Sequence, residues 1–342
     1  MRRRSVLTIL MASVLVLAAC NGADDDPDAA DGADEDIDAD ADPVAADAEG
    51  GEGTGEGLTI SVITHGEGGS FWAVHRRGAQ AAAEDLGVEL DYQEADNDPQ
   101  QQVQLIDTAV TQGTDGIAVS VPDPGALQQP IEAAIEAGIP VVTLNSGADV
   151  FEELGAITHV GQTETIAGEG GGTRLSEEAD GNLLCVIHEQ GNEALQQRCD
   201  GAASTYDGEV ENFQVSGTAD ITASLGEIQT KLETDDSIGA VLALNPDIAM
   251  AAVDAVDAAG ADVVLGTFDL SGAVVEAIEA GDVSFAIDQQ QYLQGYLPVV
   301  FLTLYNTNAN TVGGGLPVLT GPGFVDESNA AEVTELAEDG TR

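Results

Sequence analysis

His188-Glu189-Gln190-Gly191-Asn192 opens like a zinc-binding HExxH helix, yet asparagine stands where the second imidazole is required. His65-Gly66-Glu67-Gly68-Gly69 has the glycines of a hydrolase oxyanion loop, but no Gly-x-Ser-x-Gly turn supplies a nucleophile. Gly168-Glu169-Gly170-Gly171-Gly172 lacks the strand spacing of a dinucleotide fingerprint, which weighs against phosphate binding. No nucleophile, base and orienting group coincide, so recognition rather than turnover is expected, with no cofactor and no metal. What remains suits stacking and hydrogen bonding, beginning with the single tryptophan, Trp72, beside Phe71. A ring face offers contact area at little entropic cost. A guanidinium supplies charge-assisted donors worth about 1.5–3 kcal/mol each, and a neutral amide both donates and accepts.

The three cysteines point to a compartment. Arg2, Arg3 and Arg4 precede an apolar run over 6–17 that ends in Ala18-Ala19-Cys20, the pattern of a lipoprotein signal peptide over residues 1–20. The run is shorter than the roughly 20 residues that a spanning helix needs. Cys20 is therefore expected to carry a lipid that anchors the protein to the outer face of the cell membrane; a cleaved secretory signal with an incidental cysteine is the alternative. Cys185 and Cys199 would then meet an oxidising environment. A disulfide between them closes a loop of about 15 residues, worth roughly 3 kcal/mol by chain entropy, and two buried free thiols are the alternative.

The 342 residues include 62 acidic and nine basic side chains, for a net charge of −53, which loss of the three signal arginines takes to −56. Such a field repels nucleic acid and anionic lipid. It strains the compact state unless salt shortens the Debye length, to about 3 Å at 1 M. With Lys231 the only lysine, the composition reads as that of a halophilic protein. Residues 21–57 are almost all Asp, Glu, Ala, Gly and Pro, with 15 acids and little to bury. They are expected to form a disordered linker spanning roughly 35 Å.

The elements that must position the polar side chains begin at residue 58, where short apolar runs alternate with Ala-rich segments of helical period. Strands are predicted over 58–63, 88–92, 116–121 and 140–144, and helices over 71–86, 100–112 and 127–137. After a change of phase near Gly161 the series repeats, with strands over 183–187, 211–215, 240–244 and 263–268 and helices over 192–206, 223–232 and 246–259. This alternation predicts an α/β fold of doubly wound parallel sheets covered by helices on both faces. Nearly 290 residues exceed what one core usually holds, so two domains are expected. The carboxyl ends of both strand sets then lie along one cleft, where ligands of this architecture bind.

Six segments resemble the ribose-binding branch of the periplasmic sugar-binding proteins, the solute receptors of ABC importers. They are Thr59-Ile60-Ser61-Val62 through Phe71-Trp72, Gly138-Ile139-Pro140-Val141-Val142-Thr143-Leu144-Asn145, Glu189-Gln190-Gly191 through Arg198, Asn245-Pro246-Asp247-Ile248-Ala249, Gly266-Thr267-Phe268-Asp269 and Ala286-Ile287-Asp288-Gln289. The likeness covers about residues 58–325, and no helix-turn-helix precedes it, unlike in the repressors that share this fold. It implies a type 1 periplasmic binding protein with one lobe over 58–161 plus 290–319, another over 162–289 plus 320–330, and a tail over 331–342. Three crossings near Gly161-Gln162, Asp288-Gln289 and Leu319-Thr320 would form the hinge.

The same resemblance implies a sugar or sugar alcohol held between Phe71 and Trp72 and polar groups of both lobes. Arg198 would bond sugar oxygens, Asn245 and Asp269 would bond hydroxyls, and Gln289 would serve as hinge and contact. His65 stands where a small polar residue is usual. Asn145 takes the place of an aspartate and Ser146 that of an arginine, while an aromatic of the second lobe is replaced near Asp220. Alternatives stay open: a core role for Phe71 and Trp72, a loop role for His65, and for Asp269 an N-cap of the helix beginning near Gly272. The implied function is monomeric extracytoplasmic capture and delivery to an ABC transporter permease. A receptor that signals to a membrane kinase or chemoreceptor would use the same site.

Overall fold

The computed structural model describes residues 54–66 and 68–342, so the signal segment, Cys20 and the linker up to residue 53 lie outside the described residues. The first half runs β1 (Thr59–Thr64), α1 (Gly69–Leu86), β2 (Glu89–Glu94), α2 (Pro99–Gln112), β3 (Gly116–Ser120), α3 (Pro124–Glu136), β4 (Val141–Asn145) and β5 (His159–Gly161). The second runs α4 (Glu164–Glu178), β6 (Asn182–Ile187), α5 (Glu193–Thr205), β7 (Val210–Gln214), α6 (Ile221–Thr234), β8 (Ile238–Ala243), α7 (Pro246–Ala259), β9 (Val264–Phe268), α8 (Gly272–Ala280) and β10 (Phe285–Asp288). The chain returns through α9 (Gln291–Asn308) and β11 (Val318–Leu319), then ends with β12 (Gly323–Asp326) and α10 (Thr334–Glu338).

Local chemistry starts and stops these helices. Asp98, Asp123 and Asn245 accept from first-turn N–H groups of α2, α3 and α7, while Pro99, Pro124 and Pro246 take the first helical position, where a missing N–H costs nothing. Gly113 and Gly260 end α2 and α7 in the left-handed region that glycine enters freely.

Among the described residues the twelve strands form two six-stranded sheets, ordered β11-β5-β4-β3-β1-β2 and β12-β10-β9-β8-β6-β7. Neighbours run parallel except β12, which is antiparallel to β10. Laying β6 on β1 superimposes the two orders, so each lobe has a switch point, between β1 and β3 and between β6 and β8, where its carboxyl ends open a crevice. The strands β3 and β4 are buried along their whole length, as parallel strands covered on both faces must be. In the first lobe Ile60 and Val62 face α1 and α9, while Ile63, Ile117 and Val119 face α2 and α3. In the second, Leu184 and Val186 face α6 to α8, while Leu183 and Cys185 face α4 and α5.

The chain passes between lobes at 162–163, 289–290 and 320–322. Several segments differ from the sequence reading, which also left β5, α9, β11 and β12 unassigned. Residues 54–57, assigned to the linker, form a turn in which the Gly55 N–H donates to the Leu86 carbonyl at 2.8 Å. Residues 331–342, assigned to a tail, contain α10, which packs on α8, and Arg342, whose Nε donates to Asp288 Oδ2 at 2.8 Å. The helix α4 went unread because its sequence holds Gly168, Gly170, Gly171 and Gly172. Those glycines serve packing: a Cβ on Gly168 would strike the Arg198 carbonyl, and one on Gly172 the Ala202 carbonyl.

Candidate ligand-binding site

All eight residues expected at a site line one cavity between the lobes, enclosing about 330 Å³ not filled by protein atoms. His65, Phe71, Trp72 and Asn145 come from the first lobe; Arg198, Asn245 and Asp269 come from the second, and Gln289 from a crossing. Asp220 does not join them. It is exposed and caps α6 by accepting from the Ala223 N–H.

The pseudo-symmetry of the lobes explains why these positions meet. His65 follows β1 and His188 follows β6; Asn145 ends β4 and Asp269 follows β9. Asn145 and Asp269 both adopt left-handed backbone, with φ of 57° and 70°. Asparagine and aspartate tolerate that region better than most residues, and such strain persists where surrounding structure enforces it. Gln289 ties the two together, since its Nε2 donates to Asp269 Oδ1 at 2.8 Å and its Oε1 accepts from Asn145 Nδ2 at 3.4 Å.

Arg198 lines the cavity and is anchored from α4. Its Nε donates to Glu164 Oε2 at 2.6 Å, its Nη2 to Glu164 Oε1 at 3.2 Å and its Nη1 to the Leu244 carbonyl at 3.4 Å. Three of its five N–H groups are thus engaged, and the side chain still lines the cavity. Burial opposes the guanidinium charge, and the Glu164 carboxylate more than restores it. The disulfide between Cys185 and Cys199 joins β6 to α5 beside this pair. Asn245 is also partly committed, because its Oδ1 caps α7 and only its amide N–H groups remain for a ligand. The N-cap alternative for Asp269 falls away, because Ser271 caps α8. Burial pushes the Asp269 carboxyl up to about 7, against the pull of Arg198 and of the Gln289 amide.

The other wall crosses between lobes. The His65 Nδ1 lies 2.8 Å from Ser120 Oγ, and its Nε2 lies 3.3 Å from Glu189 Oε2. Asn192 Nδ2 donates to the same Glu189 oxygen at 2.6 Å, and His188 Nε2 stands 3.7 Å from Oε1. Burial alone would raise the Glu189 pKa, but His65, His188 and Asn192 hold it well below the usual carboxylate range. The incomplete zinc motif thus supplies three lining residues, His188, Glu189 and Asn192, that were not among the expected site residues. Ser146 also lines the cavity. Glu164, which fixes Arg198, was hidden with α4.

Phe71 and Trp72 meet edge to face, with centroids 4.8 Å apart and planes at 82°. Both belong to the first-lobe core and both line the cavity. At the rim, Ser70 Oγ donates to Asp247 Oδ1 at 2.9 Å and the Glu193 N–H donates to the Pro122 carbonyl at 3.1 Å, drawing the lobes closed. Among the described residues no cluster of His, Cys, Asp and Glu could hold a metal ion, and no helix is long and apolar enough to cross a membrane.

A family model described as the periplasmic binding protein domain matches residues 60–306. A xylose/arabinose-binding protein of Sulfolobus acidocaldarius is 28% identical over 79% of this chain and 71% of its own length. A ribose import binding protein of Haemophilus influenzae is 26% identical over 71% and 83%. The crystal structure of a carbohydrate transporter from Acidothermus cellulolyticus in complex with myo-inositol is 45% identical, covering 83% of this chain and 99% of that one with a TM-score of 0.81. With two matching sheets, three crossings and a lined interlobe cavity, the chain belongs to the periplasmic binding protein family.

Proposed function

We propose that this protein is an extracytoplasmic solute receptor that closes its lobes around a sugar or cyclic polyol and presents the closed form to an ABC importer. The observation that carries the reading is a single cavity where two aromatic rings of one lobe meet amides of both lobes and carboxylates of the other. Pyranose and cyclitol rings have apolar C–H faces and a rim of hydroxyls, which call for an aromatic surface ringed by donors and acceptors. The myo-inositol in the 45%-identical structure supports a cyclitol as the first candidate. A ligand touching both lobes binds the closed form better than the open one and shifts the population toward it. The basic start, the apolar run and Ala18-Ala19-Cys20 support a lipid on Cys20, with the acidic segment after it as a tether.

Trp72, the only tryptophan, is 6% exposed in the cavity wall and reports on occupancy. Thermal-shift and fluorescence titrations in molar salt against pentoses, hexoses and inositols are expected to find one class that raises the Tm and changes the emission saturably. Silence across all three classes would remove the reading. For the anchor, mass spectrometry of membrane-extracted protein is expected to find an amino-terminal peptide that begins at a lipid-modified Cys20. A free Cys20 thiol would sink that part alone.

A further inference from the structure

The first turn of α1 carries Phe71 and Trp72, yet no side chain of its own lobe caps it. Gly68 at its N-cap has no side chain to offer and no acid lies in that turn, whereas α2 and α3 of the same lobe are capped by Asp98 and Asp123. What α1 lacks comes from the other lobe. Asp247, in the first turn of α7, accepts from the Ser70 N–H at 3.1 Å through Oδ2 and from the Ser70 hydroxyl at 2.9 Å through Oδ1. The approach needs glycine, because a Cβ on Gly69 would stand 2.9 Å from Asp247 Oδ2. Neither Ser70 nor Asp247 is among the residues that line the cavity. The aromatic pair is nevertheless tied to this turn: a Cβ on Gly66 would strike the Trp72 indole, so the loop entering α1 lies against the ring.

The first N–H groups of a helix have no partner inside it, so a capping acceptor fixes the turn and an anion there also offsets the positive end of the helix dipole. When the lobes part, Asp247 leaves with α7 and that acceptor is lost. We infer that Asp247 is a positioning residue that caps α1 across the cleft, so that closure itself completes the turn holding Phe71 and Trp72. The inference concerns the regulation of the site proposed above and rests on that reading. A polyol ring held by the aromatic pair favours the ordered turn, the ordered turn presents Ser70 to Asp247, and that contact in turn favours the closed form. Affinity is thereby set in part by a carboxylate outside the cavity.

The test closes the lobes without a bound molecule. Gln197 Nε2 donates to Asp149 Oδ2 at 2.9 Å between the lobes, so Asp149→Cys and Gln197→Cys joined by a short bismaleimide hold them together. The Cys185–Cys199 disulfide leaves neither of those thiols to react. Hydrogen–deuterium exchange over residues 65–72 in molar potassium chloride is compared before and after linking. Linking is expected to slow exchange at least about fivefold with Asp247 in place and less than about twofold with Asp247→Ala. Equal slowing in the two proteins overturns the inference. Should Asp247→Ala not fold, Ser70→Ala removes one of the two bonds and leaves α7 untouched; it is expected to keep less than half of the slowing, and undiminished slowing overturns the inference. In unlinked protein, titration with myo-inositol, or with whichever screened pentose or hexose binds in its place, is expected to give a Kd about fivefold higher for Asp247→Ala than for wild type. Equal affinity overturns the inference and leaves the receptor reading standing. If no pentose, hexose or inositol binds the wild type, the receptor reading falls, and the exchange comparison still decides for or against the cap.

Discussion

Two histidines that the cavity does not use are buried more completely than the two that line it. His75 Nδ1 lies 2.9 Å from the Tyr92 hydroxyl, His159 Nδ1 lies 3.0 Å from Thr143 Oγ1, and each Nε2 is buried without a partner. Burial pushes both down to about 3. In the unfolded chain a histidine titrates near 6.5, so the stability each contributes is whole above that pH and is lost as the pH falls toward 3, at about 1.4 kcal/mol per unit. Asp269, raised to about 7, acts with the opposite sign, so a difference between variants isolates the histidine better than the total does. His159→Asn is expected to be less stable than wild type at pH 8, with the gap narrowing by about 1.4 kcal/mol for each unit below pH 6.5. Urea denaturation between pH 8 and 5 measures it, and a pH-independent gap would show that His159 takes its proton inside the fold. At this scale the sequence was legible where a residue follows a predicted strand, because a parallel sheet delivers its carboxyl ends to one place. Glu189, in the segment 189–198 that carries the resemblance, was not among the expected site residues.

The elements were legible where caps and periodicity agree, as in α7, read from sequence over the same residues that the structure shows. They were illegible where glycine replaces side-chain packing with backbone contact. Glycine disfavours a helix by about 1 kcal/mol relative to alanine, so the run in α4 reads as a loop unless its partner is known. That partner is α5, where a Cβ on Gly201 would strike the Thr165 carbonyl, just as one on Gly168 would strike that of Arg198. Close approach of these two backbones brings Glu164, at the first turn of α4, onto the Arg198 fork. Gly168→Ala is therefore expected to push the helices apart, costing about 1–3 kcal/mol or more, and to weaken ligand binding by displacing Arg198, whose carbonyl the new Cβ would meet, from Glu164. Gly226→Ala on α6, where a Cβ meets nothing within 4 Å, should leave binding alone and stabilise by a few tenths to about 1 kcal/mol. Parallel thermal melts and titrations of both variants compare them. Equal behaviour would mean that α4 and α5 have slack that their geometry does not reveal.

For the whole molecule, composition sets the balance more than any contact does. Fourteen of the 62 acids and three of the nine bases precede residue 54, which leaves 48 acids against six bases in the remainder. Five of those six bases are committed: Arg76 to Glu94, Arg174 to Asp326, Arg198 to Glu164, Lys231 to Glu211 and Asp235, and Arg342 to Asp288. The other carboxylates therefore face one another across the surface, and only solvent ions can offset them. Raising salt shortens the Debye length from about 10 Å at 0.1 M to about 3 Å at 1 M, below the usual spacing of surface charges. The melting temperature should climb steeply over that interval, by similar amounts in sodium and potassium chloride, and flatten beyond it once screening is complete. A rise that continues linearly to several molar, larger in sulfate than in chloride, would instead indicate exclusion of salt from the protein surface. A melting temperature that stays level from 0.1 to 1 M would show that repulsion among these acids is not what limits the folded state.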